Sequence, residues 1–194
     1  MSNNSFEASV EQNRMAESVP TTETRLEGEC SSLGIRLRGC FVTDCELTSP
    51  TTGERESVLY ADEDTSVAKF TGSHPMSPVG PYDGLGGQHG FPRWADYHVF
   101  SQVDTEDDHK RVSMQAKRPD NGTSLTKVFE LSDNALLTST VVANPSEKTI
   151  ATSVGEHLYF SLEKEVMSGL TINGEAIDDI FGAGSQASLM EGQP

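Results

Sequence analysis

Apolar and polar positions alternate along most of the chain from about residue 24 onward. Ile35 and Leu37, then Phe41, Val42 and Leu47, alternate with polar neighbours on either side of Gly39 and predict two short strands. Pro50-Thr51-Thr52-Gly53 reads as a turn, and Ser57-Val58-Leu59-Tyr60 opens the next strand. Tyr97–Val103 and Arg111–Lys117 flank the acidic stretch Asp104–Asp108 as a hairpin. Leu125–Leu131 and Ala135–Ala143 repeat the pattern around Ser132-Asp133-Asn134. Ile150–Val154 and His157–Leu162 follow, separated by Gly155-Glu156. Strand runs recurring at roughly 8–12 residues, with turn signals between them, predict an all-β antiparallel sandwich or barrel. No amphipathic stretch supports a helix longer than two turns, and no fixed-period repeat is present.

Two segments break this rhythm. Residues 1–24 are rich in Ser, Thr, Glu and Asn, with scattered apolar positions, and read as a mobile tail ahead of a domain spanning 25–194. Residues 72–94 are rich in glycine and proline, and a loop longer than about 15 residues is functional or disordered. Met76, Val79, Tyr82, Leu85, Phe91 and Trp94 supply apolar anchors along it, so an ordered loop laid across a sheet is expected. Trp94 is the single tryptophan of the chain.

The candidate chemistry lies in that loop and in the last strand. His89 sits in Gln-His-Gly-Phe-Pro-Arg-Trp, where small neighbours leave its imidazole accessible, with Arg93 and Trp94 close behind. Aromatic rings beside polar donors suit a sugar, whose C–H face stacks while its hydroxyls hydrogen-bond. A histidine that merely pins the loop to backbone is the competing reading. In Glu156-His157-Leu158-Tyr159-Phe160-Ser161-Leu162, period-2 alternation puts His157, Tyr159 and Ser161 on one face. Leu158, Phe160 and Leu162 fall on the other, expected to face the core. A surface histidine with its hydrogen bonds satisfied is the plainer alternative for His157. His74, His89, His98 and His109 show no metal-ligand spacing, so no metal cofactor is expected. Gly84-Leu85-Gly86-Gly87 lacks the Lys-Ser/Thr and the flanking strand and helix of a phosphate loop, and there is no serine nucleophile elbow.

Charge narrows the partners. The 194 residues carry 14 Lys and Arg against 30 Asp and Glu, a formal net charge of −16. Clustered basic residues are what a nucleic acid or an anionic membrane requires, so both are set aside. A neutral polyol fits that acidity better than a phosphosugar. No run of about 18 apolar residues would span a bilayer. The first residues lack the apolar core of a signal peptide, and three cysteines, Cys30, Cys40 and Cys45, suit neither a disulfide framework nor a metal knuckle. Reduced thiols in the cytoplasm are therefore expected.

The two histidine segments together resemble the aldose 1-epimerase family, the galactose-mutarotase-like sugar epimerases, and most nearly their glucose-6-phosphate 1-epimerase branch. The corresponding stretches are Gly72–Pro81, His89-Gly90-Phe91-Pro92-Arg93-Trp94 and His157-Leu158-Tyr159-Phe160. Val141–Ser146 and Asn173-Gly174 match the segments before and after the His strand. The resemblance implies an antiparallel β-supersandwich with the sugar across a concave sheet, and an isomerase that interconverts α and β anomers by acid/base ring opening. It casts His157 as general acid and His89 as a catalytic histidine that hydrogen-bonds the sugar. Arg93, Trp94, Phe91, Tyr82 and Tyr159 would bind the substrate. Lys69, the nearest basic residue ahead of the loop, stands several positions early for the branch's phosphate site.

Members of that family are longer, and their general-base glutamate lies near the end. Glu175, Asp178, Asp179 and Glu191 follow the His strand too closely to supply it. The resemblance thus implies an incomplete sandwich, by truncation or as a natural remnant. A remnant that lost the base would be a non-catalytic carbohydrate-binding sandwich. Open strand edges would also favour a homo-oligomer.

Overall fold

The computed structural model describes residues 23–60, 72–79, 89–105, 109–161, 171–172 and 175–176. Twelve strands run through them: β1 (Glu23–Glu27), β2 (Ser32–Arg36), β3 (Phe41–Thr48), β4 (Arg55–Ser57), β5 (Ser73–Met76), β6 (His98–Asp104), β7 (Lys110–Lys117), β8 (Ser124–Leu131), β9 (Leu136–Ala143), β10 (Gly155–Leu158), β11 (Thr171–Ile172) and β12 (Glu175–Ala176). A single 3-10 turn, Phe91–Trp94, is the one helical element among the described residues. All the strand pairings are antiparallel. The all-β antiparallel class expected from the alternation is the class observed.

One sheet runs β1-β2-β3-β5-β10, with β4 also on β3, and a four-stranded meander runs β6-β7-β8-β9. Their facing sides form the core. Leu26, Leu33, Ile35, Val42 and Cys45 come from the first sheet, and Val112, Met114, Ala116, Leu125, Phe129 and Leu131 from the second. The strict alternation of β8, with every second residue buried, shows how period-2 patterning turns its apolar side inward. One inward position breaks the rule. Lys127 stands between Leu125 and Phe129 and is fully buried. Its ammonium donates to the Glu156 carboxylate of β10 at 2.7 Å, and Ser73 Oγ donates to the other carboxylate oxygen.

Three expectations are corrected. Ile150–Val154 forms no strand: Ser153 Oγ accepts from Val79 N at 2.9 Å and Thr152 Oγ1 lies 2.9 Å from Ser77 Oγ. Side-chain bonds, not a backbone ladder, hold this β-branched run. Gly155-Glu156 is no separator, because β10 begins there and pairs with β5. Leu158 and Phe160 do not face the core, being 45% and 51% exposed, and Leu162 lies outside the described residues. Their side of β10 meets the core only at Glu156, which is spoken for by Lys127.

β1 takes in Glu23 and Thr24, which composition assigns to the tail; residues 1–22 lie outside the described residues. Among the described residues, no helix is long and apolar enough to cross a membrane. Cys30 is exposed, Cys40 and Cys45 are buried, and none is paired.

Candidate functional site

The site is built on the outer face of the first sheet. Val42 is paired with Ser73 on the core side, so Phe41 and His74 turn to the opposite side. His157 is directly opposite His74 in the β5–β10 ladder and shares that side. Arg36, opposite Phe41 in the β2–β3 ladder, lays its guanidinium 4.6 Å from the centre of the Phe41 ring. Tyr159, two residues beyond His157, stacks on its ring at 4.5 Å.

The segment 89–97 closes over this face. Ser77 N donates to His89 O at 3.1 Å, Gly39 N to Ala95 O at 2.8 Å, and Tyr97 N to Leu37 O at 3.0 Å. Two glycines permit the close approach. Gly39, with φ of 78°, lies against the Arg93 carbonyl and the Phe41 ring, and Gly90, with φ of 72°, lies against the Ser77 carbonyl. A Cβ at either position would collide with that backbone. His89 itself holds φ of 69°, a left-handed conformation that costs a non-glycine residue about 1 kcal/mol.

The outcome is a cluster of three imidazoles drawn from distant parts of the chain. Ring centres lie 5.3 Å apart for His89 and His157, 5.0 Å for His74 and His157, and 6.0 Å for His74 and His89. Burial lowers the pKa of all three. For His74, which is 1% exposed, burial takes it down to about 3, with Arg93, His157, His89 and Arg36 adding repulsion. His89 is lowered by burial and then by Arg93. His157 is lowered by burial, then by His89 and Arg93. Burial raises the Tyr159 phenol, against the pull of Arg93. The three rings are therefore neutral imidazoles near pH 7, each carrying one N–H and one lone pair.

His89, His157, Arg93, Trp94 and Tyr159 are thus brought together, Arg93 with its guanidinium 5.6 Å from the centre of the Trp94 ring. Phe91 is not with them: it is buried in the core cluster and anchors the loop. Tyr82, Lys69, Asp178, Asp179 and Glu191 lie outside the described residues, as do Asn173 and Gly174; Glu175 is placed only by its backbone in β12. His74 is the member that sequence reasoning passed over. Ser73-His74-Pro75-Met76 reads as loop because of its proline and glycine surroundings, yet it forms β5. No local alternation marks it, since all four residues of β5 are buried and the strand forms by pairing with β3 and β10.

Among the described residues, no set of three His, Cys, Asp or Glu side chains is placed to hold a metal ion. The positive charges of Arg93 and Arg36 beside the rings would oppose one. These charges also make the site locally basic in a chain of net charge −16, so the overall acidity does not describe the site. A separate pocket of about 550 Å³ is lined by Glu29, Thr48, His109 and Asp133, among others. Its polar groups already serve the fold: Asp133 Oδ1 accepts from Cys30 N at 3.1 Å, and His109 Nδ1 lies 3.1 Å from Glu130.

No protein-family model matches the chain, and no curated protein matches it in sequence. The fold has a solved counterpart. It matches a protein of Escherichia coli K12 assigned provisionally as an aldose 1-epimerase, at a TM-score of 0.56 and 17% sequence identity. The match covers 75% of this chain and 54% of that one, so the chain spans about half the length of its structural neighbour. At that identity the likeness is one of fold, an antiparallel β-sandwich.

Proposed function

We propose that this protein is an aldose 1-epimerase that interconverts the α and β anomers of a hexose or hexose phosphate. The observation that carries the reading is the meeting of His89 and His157, 68 positions apart in the chain, with ring centres 5.3 Å apart beside Tyr159, Arg93 and Trp94. Neutral imidazoles with an aromatic wall and a guanidinium suit a ligand that is apolar on its C–H face and hydroxylated at its edge. The sandwich shared with the E. coli protein supports the same reading.

In this reaction His157 gives a proton to the ring oxygen while a base takes the proton of the C1 hydroxyl. The C1–O bond to the ring oxygen breaks, and the C1–hydroxyl oxygen becomes the aldehyde carbonyl. Rotation about the C1–C2 bond and closure on the other face return both protons in reverse. His89 hydrogen-bonds the sugar, Trp94 and Tyr159 stack against it, and Arg93 binds its polar edge. Acid and base must stand on opposite sides of one C–O bond with pKa values suited to the working pH.

A second reading rests on one specific observation. The carboxylate nearest in sequence to the histidines, Glu156, turns to the other side of β10 and is bound by Lys127 and Ser73. A carboxylate base is not among the described residues of the site. A carbohydrate-binding sandwich without catalysis would need only the aromatic wall and the hydrogen-bonding rings. Anomer-exchange NMR on the purified protein, run over a panel of hexoses and hexose phosphates, separates the two. Exchange above the buffer rate supports the epimerase. Sugar binding by calorimetry with exchange at the buffer rate supports the binding module.

A further inference from the structure

His74 has no role in the mechanism above, yet it is the most anomalous polar side chain of the site. It is 1% exposed, and neither ring nitrogen has a hydrogen-bond partner among the described residues. Leaving a buried donor or acceptor unpaired is costly, so such a ring needs an explanation. His157 shows the complementary gap: its Nδ1 is also buried without a partner among the described residues.

For His74 the nearer imidazole is that of His157. Two imidazoles joined by an N–H···N bond of about 2.9 Å have ring centres roughly 5 Å apart, since each nitrogen stands about 1.1 Å from its centre. The His74–His157 separation is 5.0 Å, whereas His89 is further, at 6.0 Å. The other groups around His74 offer less. Phe41 of β3 covers it with an apolar ring at 4.7 Å, and Tyr159 stands at 6.5 Å. Arg36 of β2 and Arg93 of the covering segment are donors only, and their charges repel a proton from His74. Glu156 is turned away on the opposite side of β10. The two rings stand tilted by 53° with these nitrogens not hydrogen-bonded, so the pairing requires a turn about the soft outer torsion of one ring.

We propose that His74 is a positioning residue, an imidazole that hydrogen-bonds Nδ1 of His157 and so directs Nε2–H of His157 toward the substrate. The proposal rests on reading His157 as the group that gives and takes the substrate proton. Such a group needs two different things at Nδ1. Neutral His157 with its proton on Nε2 must accept a bond there, and the imidazolium must donate one. A carboxylate could only accept and an ammonium could only donate. A neutral imidazole does both, because its two tautomers put either an N–H or a lone pair at the same nitrogen. His74 keeps a single proton throughout, since its surroundings never let it take a second in the working range.

The test is nitrogen NMR of the protein labelled in histidine, beside anomer-exchange kinetics. In the wild type, His157 is expected as the Nε2–H tautomer at pH 7, with a through-hydrogen-bond coupling between its Nδ1 and a His74 nitrogen. In His74→Phe the imidazolium loses its acceptor, so the His157 midpoint moves lower and the tautomer preference weakens. The exchange kcat falls about tenfold or more while KM stays within about twofold. His74→Gln, whose amide both donates and accepts, restores the midpoint and most of kcat. An unchanged His157 midpoint and tautomer in His74→Phe overturns the proposal. Should His74→Phe not fold, absence of the coupling in the wild type overturns it equally. If the wild type exchanges no sugar, the epimerase reading fails on that result, and the spectra still decide the pairing.

Discussion

The Lys127 ammonium meets the Glu156 carboxylate at 2.7 Å inside the sandwich, one residue along β10 from His157. The bond ties the two sheets together at the strand that carries the candidate acid. It also fixes the register of β10, because a slip by one residue would turn Glu156 outward and His157 into the core.

Breaking this pair from one side leaves a buried charge without compensation. Lys127→Met is expected to lose about 3–5 kcal/mol of unfolding free energy by urea denaturation. Lys127→Met combined with Glu156→Leu should recover much of that loss, since no charge then remains buried. Equal losses in the single and double variants would show that the pair itself is not the source.

The histidine cluster ties stability to pH. A histidine of ordinary pKa, about 6.5 when unfolded, takes up a proton on unfolding that it does not hold in the fold. Its contribution is fully present above pH 6.5 and is lost as pH falls, for His74 down to about 3. His74→Phe should flatten the fall in unfolding free energy between pH 6.5 and 4 by up to about 1.4 kcal/mol per pH unit. Parallel curves for the two proteins would remove His74 as the cause.

His157 acting as an imidazolium acid should show in the rate profile. Because burial, His89 and Arg93 lower its pKa, exchange should rise as pH drops below 6.5. His157→Asn should lower kcat by about 10²–10⁴ and abolish this limb. A profile unchanged by the substitution would transfer the acid role to another group.

Gly39 is a point of close approach between the sheet and the segment carrying Arg93. Gly39→Ala places a Cβ against the Arg93 carbonyl and the Phe41 ring, at a φ that alanine avoids. A loss of about 1–3 kcal/mol in stability is expected, together with weaker sugar binding by calorimetry. Unaltered binding would place Arg93 outside the recognition of the ligand.

The cysteines differ sharply in access. Burial raises the pKa of the Cys40 thiol and pushes that of Cys45 to about 12, while Cys30 is exposed. A thiol reagent at pH 8 should modify one group per native chain and all three after unfolding. Rapid modification of three in the native state would contradict the burial of β2 and β3.

Much of the architecture is written in local pattern. Period-2 alternation in 124–131 dictates a half-buried strand, because one face must leave water; its hairpin partner in 136–143 is only partly covered, at Leu136, Thr140 and Val142. The turns at Pro50–Gly53 and Ser132–Asn134 follow from residues that favour tight backbone. His89, Arg93, Trp94 and the His157–Tyr159 pair stand out in the sequence as polar groups beside aromatic rings, but the burial of His89, expected to be accessible, does not. Other features were not local. Ser73-His74-Pro75-Met76 became a strand only because β3 and β10 offer it partners, and Leu158 and Phe160 stay exposed because the core meets their face of β10 only at Glu156. Lys127 is buried because a carboxylate from 29 positions away neutralises it. The sequence by itself determined the sheet-forming periodicity and the chemical types at the site. Tertiary structure alone decided that three histidines from separate segments form one cluster. Proximity between distant residues comes from sheet pairing and loop closure, and these depend on the whole set of contacts.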